Sequence, residues 1–470
     1  MSNQYDYDAV IIGAGISGLV CGCYLAKAGM KVLIIEKNAK PGGYCTSFKR
    51  KGFTFDACAH SLGGLGKEGI VSQVIKELDI DQQVKLRRFD PLDIIIAPDY
   101  KISFWSNLDK TIYELQDNFP KEAKNISNLF YFINDVKGAL HIQLKNKTLK
   151  ELLDNYFHDY KLKSIFSFLA FGNLGLPPSL LSAFTAVKFY KQFIFDGGYY
   201  PGNQIQEFPN ALAARFKEYS GKLIYSQMVK KIITEDNMAT GIVLNNNESI
   251  MAKYVISNCD AMQTFLSLLD NRNIGLENKS ILNNLIPSVS FFILYLGIDN
   301  NLKTPSKAGT NLWFLSDYDL EEIYAKIEST KIEDIRWFMF RIMPNENSVS
   351  CFTNAPFRNK EYWQLHKNEL RDIFIKKIEC LIPELSKHII FKDAATPYTL
   401  YKWTLNYKGA AYGWAGMPSQ FAIPEFSQKT FIQNLYLSGH WTTLAQGIPG
   451  VVYLGRDTAR IILKRENKIS

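Results

Sequence analysis

Tyr7-Asp8-Ala9-Val10-Ile11-Ile12-Gly13-Ala14-Gly15-Ile16-Ser17-Gly18 is the stretch that decides the fold, because an apolar run passes straight into three glycines and then into a helical pattern from Leu19 to Ala28. A strand buried on both faces of a parallel sheet reads as such a run. The glycine spacing permits a tight turn, a close approach of backbone to a pyrophosphate, and close packing of the helix on the strand. Ile16 and Ser17 begin that helix, whose free N–H groups and positive dipole end suit phosphate.

A glycine triplet alone also fits an ordinary turn, so the residues around it carry the reading. Gly29 closes the helix as a C-cap glycine does, Lys31 to Ile35 forms a second strand, and Glu36 stands at its end beside Lys37. An acidic residue about twenty positions past the turn accepts the ribose hydroxyls of an adenosine. It also disfavours a 2′-phosphate by charge, so FAD or NAD is expected and NADP is not.

The following run, Pro41-Gly42-Gly43-Tyr44-Cys45-Thr46-Ser47-Phe48 and then Gly52-Phe53-Thr54-Phe55-Asp56, resembles the second glycine pair and G-F-x-F-D element of a flavoprotein family. That family contains phytoene desaturase, carotenoid isomerase and retinol saturase, with the amine oxidases as remoter relatives. The resemblance implies FAD, with Gly42, Gly43 and Tyr44 along it and the chain heading toward the flavin ring. Many relatives carry an arginine where this chain has Tyr44. Further on, the resemblance brings the backbone of Val229 to the adenine. Near the C-terminus, Asn434 to Trp441 followed by Gly447-Ile448-Pro449-Gly450-Val451 resembles the closing motif. It implies a strand ending at Gly439, His440 touching the flavin or its ribityl chain, and a helix with Gly450 and Val451 near the flavin pyrimidine. Relatives often have Pro and Gly where this chain has Leu444, Ala445 and Gln446. Attachment of the flavin through a C-terminal cysteine, as in some amine oxidases, is excluded because no Cys follows Cys380, so FAD is expected to be non-covalent.

At 470 residues the chain exceeds one ordinary core. The expected fold is α/β: a Rossmann-type FAD-binding domain with a parallel central sheet, interleaved with an α+β substrate domain built on an antiparallel sheet. Segments 1–85, 197–280 and 426–470 are assigned to the FAD domain, and 86–196 and 281–425 to the substrate domain. Asp93 to Ala97 with Lys101 to Trp105 reads as a hairpin, Gly221 to Val229, Ser288 to Gly297 and Trp337 to Ile342 as strands, and Lys360 to Leu381 as a helix. A second nucleotide fingerprint is missing, which argues against a dedicated nicotinamide domain.

Hydrophobic content of 47% and charged content of 21% suit a folded globule. The balance of 54 basic against 46 acidic residues, +8, is modest, and no basic run with interleaved aromatics suggests nucleic acid. Seven cysteines without metal spacing are read as reduced thiols, with neither a metal site nor a disulfide framework expected. The chain passes from Met1-Ser2-Asn3-Gln4 directly into its first strand, so a cytoplasmic location is expected. The apolar runs Ile165 to Phe171 and Leu180 to Val187 are each shorter than the roughly 20 residues that span a bilayer. They read as buried helices, as the lining of a greasy cavity, or as a peripheral membrane contact with Lys161, Lys163, Lys188 and Lys191 at headgroup level. Composition leaves the oligomeric state open.

A flavin site of this kind presents a C–H or C=C bond to the ring in a water-excluding cavity. Desaturation, saturation and cis-trans isomerisation of a hydrophobic polyene or isoprenoid share that geometry and form the leading expectation. An amine-oxidase-like enzyme is the alternative. A non-catalytic prenyl-binding protein of the Rab GDP-dissociation inhibitor type is a second, opposed by the intact Gly13, Gly15, Gly18 and Glu36. His60 is the candidate catalytic residue, with fixing of its own turn as the competing role, and Tyr412 and Trp414 are the candidate aromatics flanking the ring.

Overall fold

The computed structural model describes residues 5–469 apart from 203, 271, 273, 300, 330–333, 345–346, 422, 424–426 and 443–445, and apart from the side chains of 139–140 and 328–329. Met1 to Gln4, Leu444 and Ala445, singled out in the sequence, therefore lie outside the described residues.

The strand Tyr7–Ile12 sits in the middle of a parallel sheet, between Val32–Ile35 on one side and Ser249–Ser257 on the other. Lys222–Ile224 extends the sheet beyond Val32–Ile35. The long strand Ser249–Ser257 serves two neighbours on its far side: its first half pairs antiparallel with Met238–Leu244, and its last residues pair parallel with Leu435–Leu437. Chain from three distant regions thus meets in one sheet. Ile16–Lys27 is buried on nearly every face because it lies on this sheet and beside Glu207–Glu218 and Gly447–Arg465. The expected strand Gly221 to Val229 divides in two. Ser226 turns with φ of +56°, its N–H donating to Asn38 O while that of Gln227 donates to Glu36 O, and Val229 opens a new strand to Glu235.

The second sheet has seven strands in the order Ile389–Ala395, Ser290–Ile298, Ser348–Ala355, Trp337–Ile342, Asn311–Leu315, Asp93–Ile96 and Lys101–Phe104. Its pairs are antiparallel except Asn311–Leu315 with Asp93–Ile96, which run parallel and join the early segment to the later one. Side chains alternate between two cores, as a period-2 strand requires. Phe291, Ile293 and Tyr295 pack with Tyr160–Leu174, whereas Phe292, Leu294 and Leu296 pack against Lys360–Glu379.

The two apolar runs lie in the helices Tyr160–Leu174 and Ala183–Phe189, the second passing into a wider π-turn over Tyr190–Phe195. Ile165 to Phe171 is buried without interruption. Lys161 pairs with Asp99 and Lys163 with Asp154, while Lys191 donates to the Val136 carbonyl. Among the described residues no helix is long and apolar enough to cross a membrane.

A methyl group on Gly18 would stand 2.3 Å from the Gly13 carbonyl oxygen, so helix and strand can meet there only if the side chain is a hydrogen. Gly18→Ala is expected to destabilise the fold by about 1–3 kcal/mol, the usual overpacking range. A lower urea midpoint with an unchanged slope is the expected reading; an unchanged midpoint would show that the helix has room to shift.

Candidate functional site

The carboxyl ends of the parallel strands open into a large cavity, the position where open α/β sheets bind ligands. Gly13, Gly15, Ile16, Ser17, Glu36, Lys37, Gly42, Gly43, Tyr44, Val229, Gly439, His440, Val451, His60 and Tyr412 all line it. Gly18 and Gly450 do not. Gly18 is used in packing against Gly13, and Gly450 is buried within its helix.

The floor is a turn that rejects side chains. Gly13 has φ of +98°, and a methyl group on Gly15 would lie 2.7 Å from the near end of the Asn258 amide. Asn258, at the end of the strand Ser249–Ser257, bonds Gly15 N–H at 3.2 Å through its amide oxygen and Ser438 O at 3.1 Å through its N–H. It stitches the first glycine turn to the C-terminal strand. Neither lining helix has an acidic residue in its first turn or a side-chain cap, so both N-termini keep free N–H groups toward the cavity. Glu36 accepts from Ala14 N–H and Asn38 N–H, each at 2.8 Å. Burial pushes its carboxyl above the usual carboxylate range, opposed by those same two hydrogen bonds. Lys37 is the one Lys or Arg among the described lining residues; its Nζ donates to Lys402 O at 3.3 Å. Tyr44 donates to Ala410 O at 3.2 Å and accepts from Thr404 Oγ1 at 3.2 Å.

Farther in, His60 packs its ring against Phe352 and Trp313 at 5.5 and 6.2 Å, and its Nδ1 has no partner among the described residues. Burial first, and then the Arg341 guanidinium, hold it down to about 3. His440 lies 6.3 Å from Tyr44, centroid to centroid, and 3.3 Å from the Asn406 amide; burial holds it down to about 4. Burial also raises the Tyr44 and Tyr412 hydroxyls, so both stay protonated.

Asn173, Phe193, Tyr412, His440 and Gly447 also line a second chamber, between Ala183–Phe189 and the loop around Trp414. Its walls are mostly apolar, with Phe184, Phe189, Trp414, Met417 and Phe421. Trp414 belongs to this chamber and not to the first. Its Nε1 donates to Trp441 O at 2.9 Å, and its ring meets Trp441 edge-on at 4.8 Å.

Three residues with a part in the site went unassigned in the sequence reading: Asn258, Asn406 and Asn173. Asn406 accepts from Trp441 Nε1 at 2.9 Å and donates to Ala410 O at 3.3 Å, tying the C-terminal loops together. A buried amide can answer several backbone groups at once. The available signal for Asn258 was its place at a strand end beside the glycine turn.

A sequence profile for the flavin containing amine oxidoreductases matches residues 16–463. Prolycopene isomerase 2 of an Oncidium hybrid cultivar is 26% identical, over 96% of this chain and 82% of its own length. All-trans-retinol 13,14-reductase of Danio rerio is 23% identical, over 98% and 86%. Among solved structures, an oxidoreductase from Methanosarcina mazei superposes with a TM-score of 0.67 at 18% identity, covering 97% of this chain and 99% of that one. The cofactor is FAD.

His440 generates a pH dependence. Its folded value lies below 6.5, so between pH 6.5 and about 4 the unfolded chain binds the extra proton. Stability is full above that window and falls as pH drops through it, by up to about 1.4 kcal/mol per pH unit for one such group. His440→Gln is expected to flatten the slope of unfolding free energy against pH between 6.5 and 4, relative to the wild type, in the flavin-stripped protein. Superimposable slopes would show that water reaches the ring.

Proposed function

Because the chain belongs to the flavin containing amine oxidoreductase family, we propose that it is an FAD-dependent oxidoreductase acting on C–C or C=C bonds of a hydrophobic polyene or isoprenoid. The observation that carries this reading is the second chamber. It shares Asn173, Phe193, Tyr412, His440 and Gly447 with the first cavity, and its wall has aromatic and aliphatic side chains with Lys188 and several uncharged polar side chains, and without a carboxylate among its described residues. In the first cavity the one described acidic side chain is Glu36, at the strand end where an adenosine ribose fits. An ammonium substrate would find no countercharge. A long hydrocarbon needs none, because it is recognised by burial, worth roughly 25 cal/mol per Å² before ordering costs. The two relatives named above are an isomerase and a reductase of such molecules by their names.

In this reading Glu36 holds the adenosine ribose, the Val229 backbone meets the adenine, and Lys37 stands nearby. The N–H groups at Ile16 and Ser17 face the pyrophosphate, with Gly42, Gly43 and Tyr44 alongside. Gly439, His440 and Val451 face the ring from the C-terminal side. The bound flavin supplies the redox chemistry by taking or giving a hydride. His60 and His440 stay neutral at physiological pH and offer hydrogen-bonding edges without charge, while Tyr412, Phe193 and Trp414 keep water from the reacting carbon.

Glu36→Ala is expected to weaken FAD binding by about 1.5–3 kcal/mol, the range for a charged acceptor, in a titration of apoprotein; equal affinities would remove Glu36 from the ribose. For substrate class, the oxidised enzyme is mixed anaerobically with polyenes and with amines, and the mixing is repeated after dithionite reduction. Polyenes are expected to perturb the flavin spectrum and to emerge desaturated, saturated or isomerised. Rapid reduction by an amine, with every polyene unchanged in both redox states, would overturn the reading.

A further inference from the structure

One loop lining the first cavity decides where the proton sits on His440. Asn406 belongs to that lining, and its amide is oriented by two neighbours with fixed roles. Trp441 Nε1, which can only donate, lies 2.9 Å from Asn406 Oδ1, and the Ala410 carbonyl, which can only accept, lies 3.3 Å from Asn406 Nδ2. Asn406 Nδ2 also lies 3.3 Å from His440 Nε2. An amide nitrogen offers hydrogens and accepts none, so Nε2 is the ring nitrogen with the lone pair. Burial holds His440 down to about 4, and a neutral imidazole with a bare Nε2 has its proton on Nδ1. The ring and the amide are seated together: Trp441 meets the ring edge-on at 5.7 Å, and at Gly413, with φ of +71°, a methyl group would collide with the His440 carbonyl oxygen.

Nδ1 is the open edge of the ring. It has no partner among the described residues, it is not sealed as His60 Nδ1 is, and His440 lines both the first cavity and the second chamber. An N–H that faces a water-excluding cavity needs an acceptor from the ligand. A polyene chain has none to give, whereas FAD has oxygens along its ribityl chain and on its pyrimidine ring. We propose that Asn406 is a positioning residue for the cofactor: it holds His440 in the tautomer protonated at Nδ1, and that N–H donates to an acceptor oxygen of bound FAD. A neutral donor serves there without the desolvation cost that a lysine would carry. The proposal rests on FAD occupying the first cavity and is independent of the substrate class.

The test is nitrogen NMR of histidine-labelled protein, without FAD and loaded with it, His440 being assigned among the six histidines by the signals lost in His440→Leu. Nδ1 is expected to give the signal of a protonated ring nitrogen and Nε2 that of a bare one. FAD is expected to shift the Nδ1 signal and to leave Nε2 bare. Asn406→Asp puts an acceptor where Nε2 had a donor, so in that variant a proton is expected on Nε2. In titrations of apoprotein, His440→Leu is expected to bind FAD about tenfold more weakly, the size of one hydrogen bond, while His440→Gln, which keeps an N–H, retains the wild-type affinity. A protonated Nε2 in the wild type overturns the role of Asn406. An Nδ1 signal that FAD leaves unmoved, or equal weakening in both His440 variants, overturns the donor role and leaves the FAD site standing. The wild-type spectra decide the matter even if Asn406→Asp does not fold.

Discussion

Everything in this molecule depends on how closely one helix approaches one strand. At Gly15 and Gly18 the space beyond the α-carbon is already filled by Asn258 and the Gly13 carbonyl, so Ile16–Lys27 lies lower on the sheet than any side chain would allow. That depth aims the helix N-terminus along the strand ends. It also lets Gly447–Arg465 pack on the same helix: at Gly455 a methyl group would stand 2.5 Å from the Ser17 carbonyl. Two helix N-termini then face one cavity because glycines remove the bulk that would hold them apart.

A second constraint lies where the two sheets meet. Arg341 is fully buried, its guanidinium 4.9 Å from the Tyr200 ring and 5.1 Å from Phe89, and its three nitrogens have no hydrogen-bond partner among the described residues. Asp56 and Asp93 are its opposite charges. Asp56 accepts from Ser47 Oγ at 2.7 Å and Ile205 N–H at 3.2 Å, and Asp93 from Trp313 Nε1 at 2.6 Å and Asn311 Nδ2 at 2.9 Å. Charge buried this deeply is tolerated where opposite charges and hydrogen bonds surround it, and losing one partner strands the others. The group serves the site at a distance, because the field of Arg341 adds to burial in keeping His60 neutral.

Much of the architecture was readable because its cause is local. The run Val10 to Ile12, the three glycines and Glu36 specify their own conformations, and Ser288 to Gly297 reads as a strand of an antiparallel sheet, where Ser290–Ile298 lies. What stayed hidden depends on residues brought together from far apart in the chain. Nothing near Asn258 in sequence announces that its amide will bond Gly15 and Ser438, and nothing near Asn406 announces Trp441. The reading of Gly221 to Val229 as one strand failed for the same reason: Ser226 and Gln227 are turned by the backbone at Asn38 and Glu36. Trp414 sits two residues from Tyr412, yet it faces the second chamber because its indole N–H is held by Trp441.

The electrostatics of the two chambers make one consistent demand on a ligand. His60 and His440 are neutral, the tyrosine hydroxyls keep their protons, Glu36 is turned to backbone amides at the far end, and Lys188 is the described cation of the second chamber. Burial depresses Lys188 to about 8, so even that charge is held against desolvation. Bringing a cation into such a place would cost its hydration with no carboxylate in return. An uncharged chain of carbon atoms carries little hydration to lose, and the aromatic walls return dispersion along its whole length. The protein therefore selects by what it refuses to solvate, and specificity beyond apolarity falls to the few polar atoms left facing the chamber.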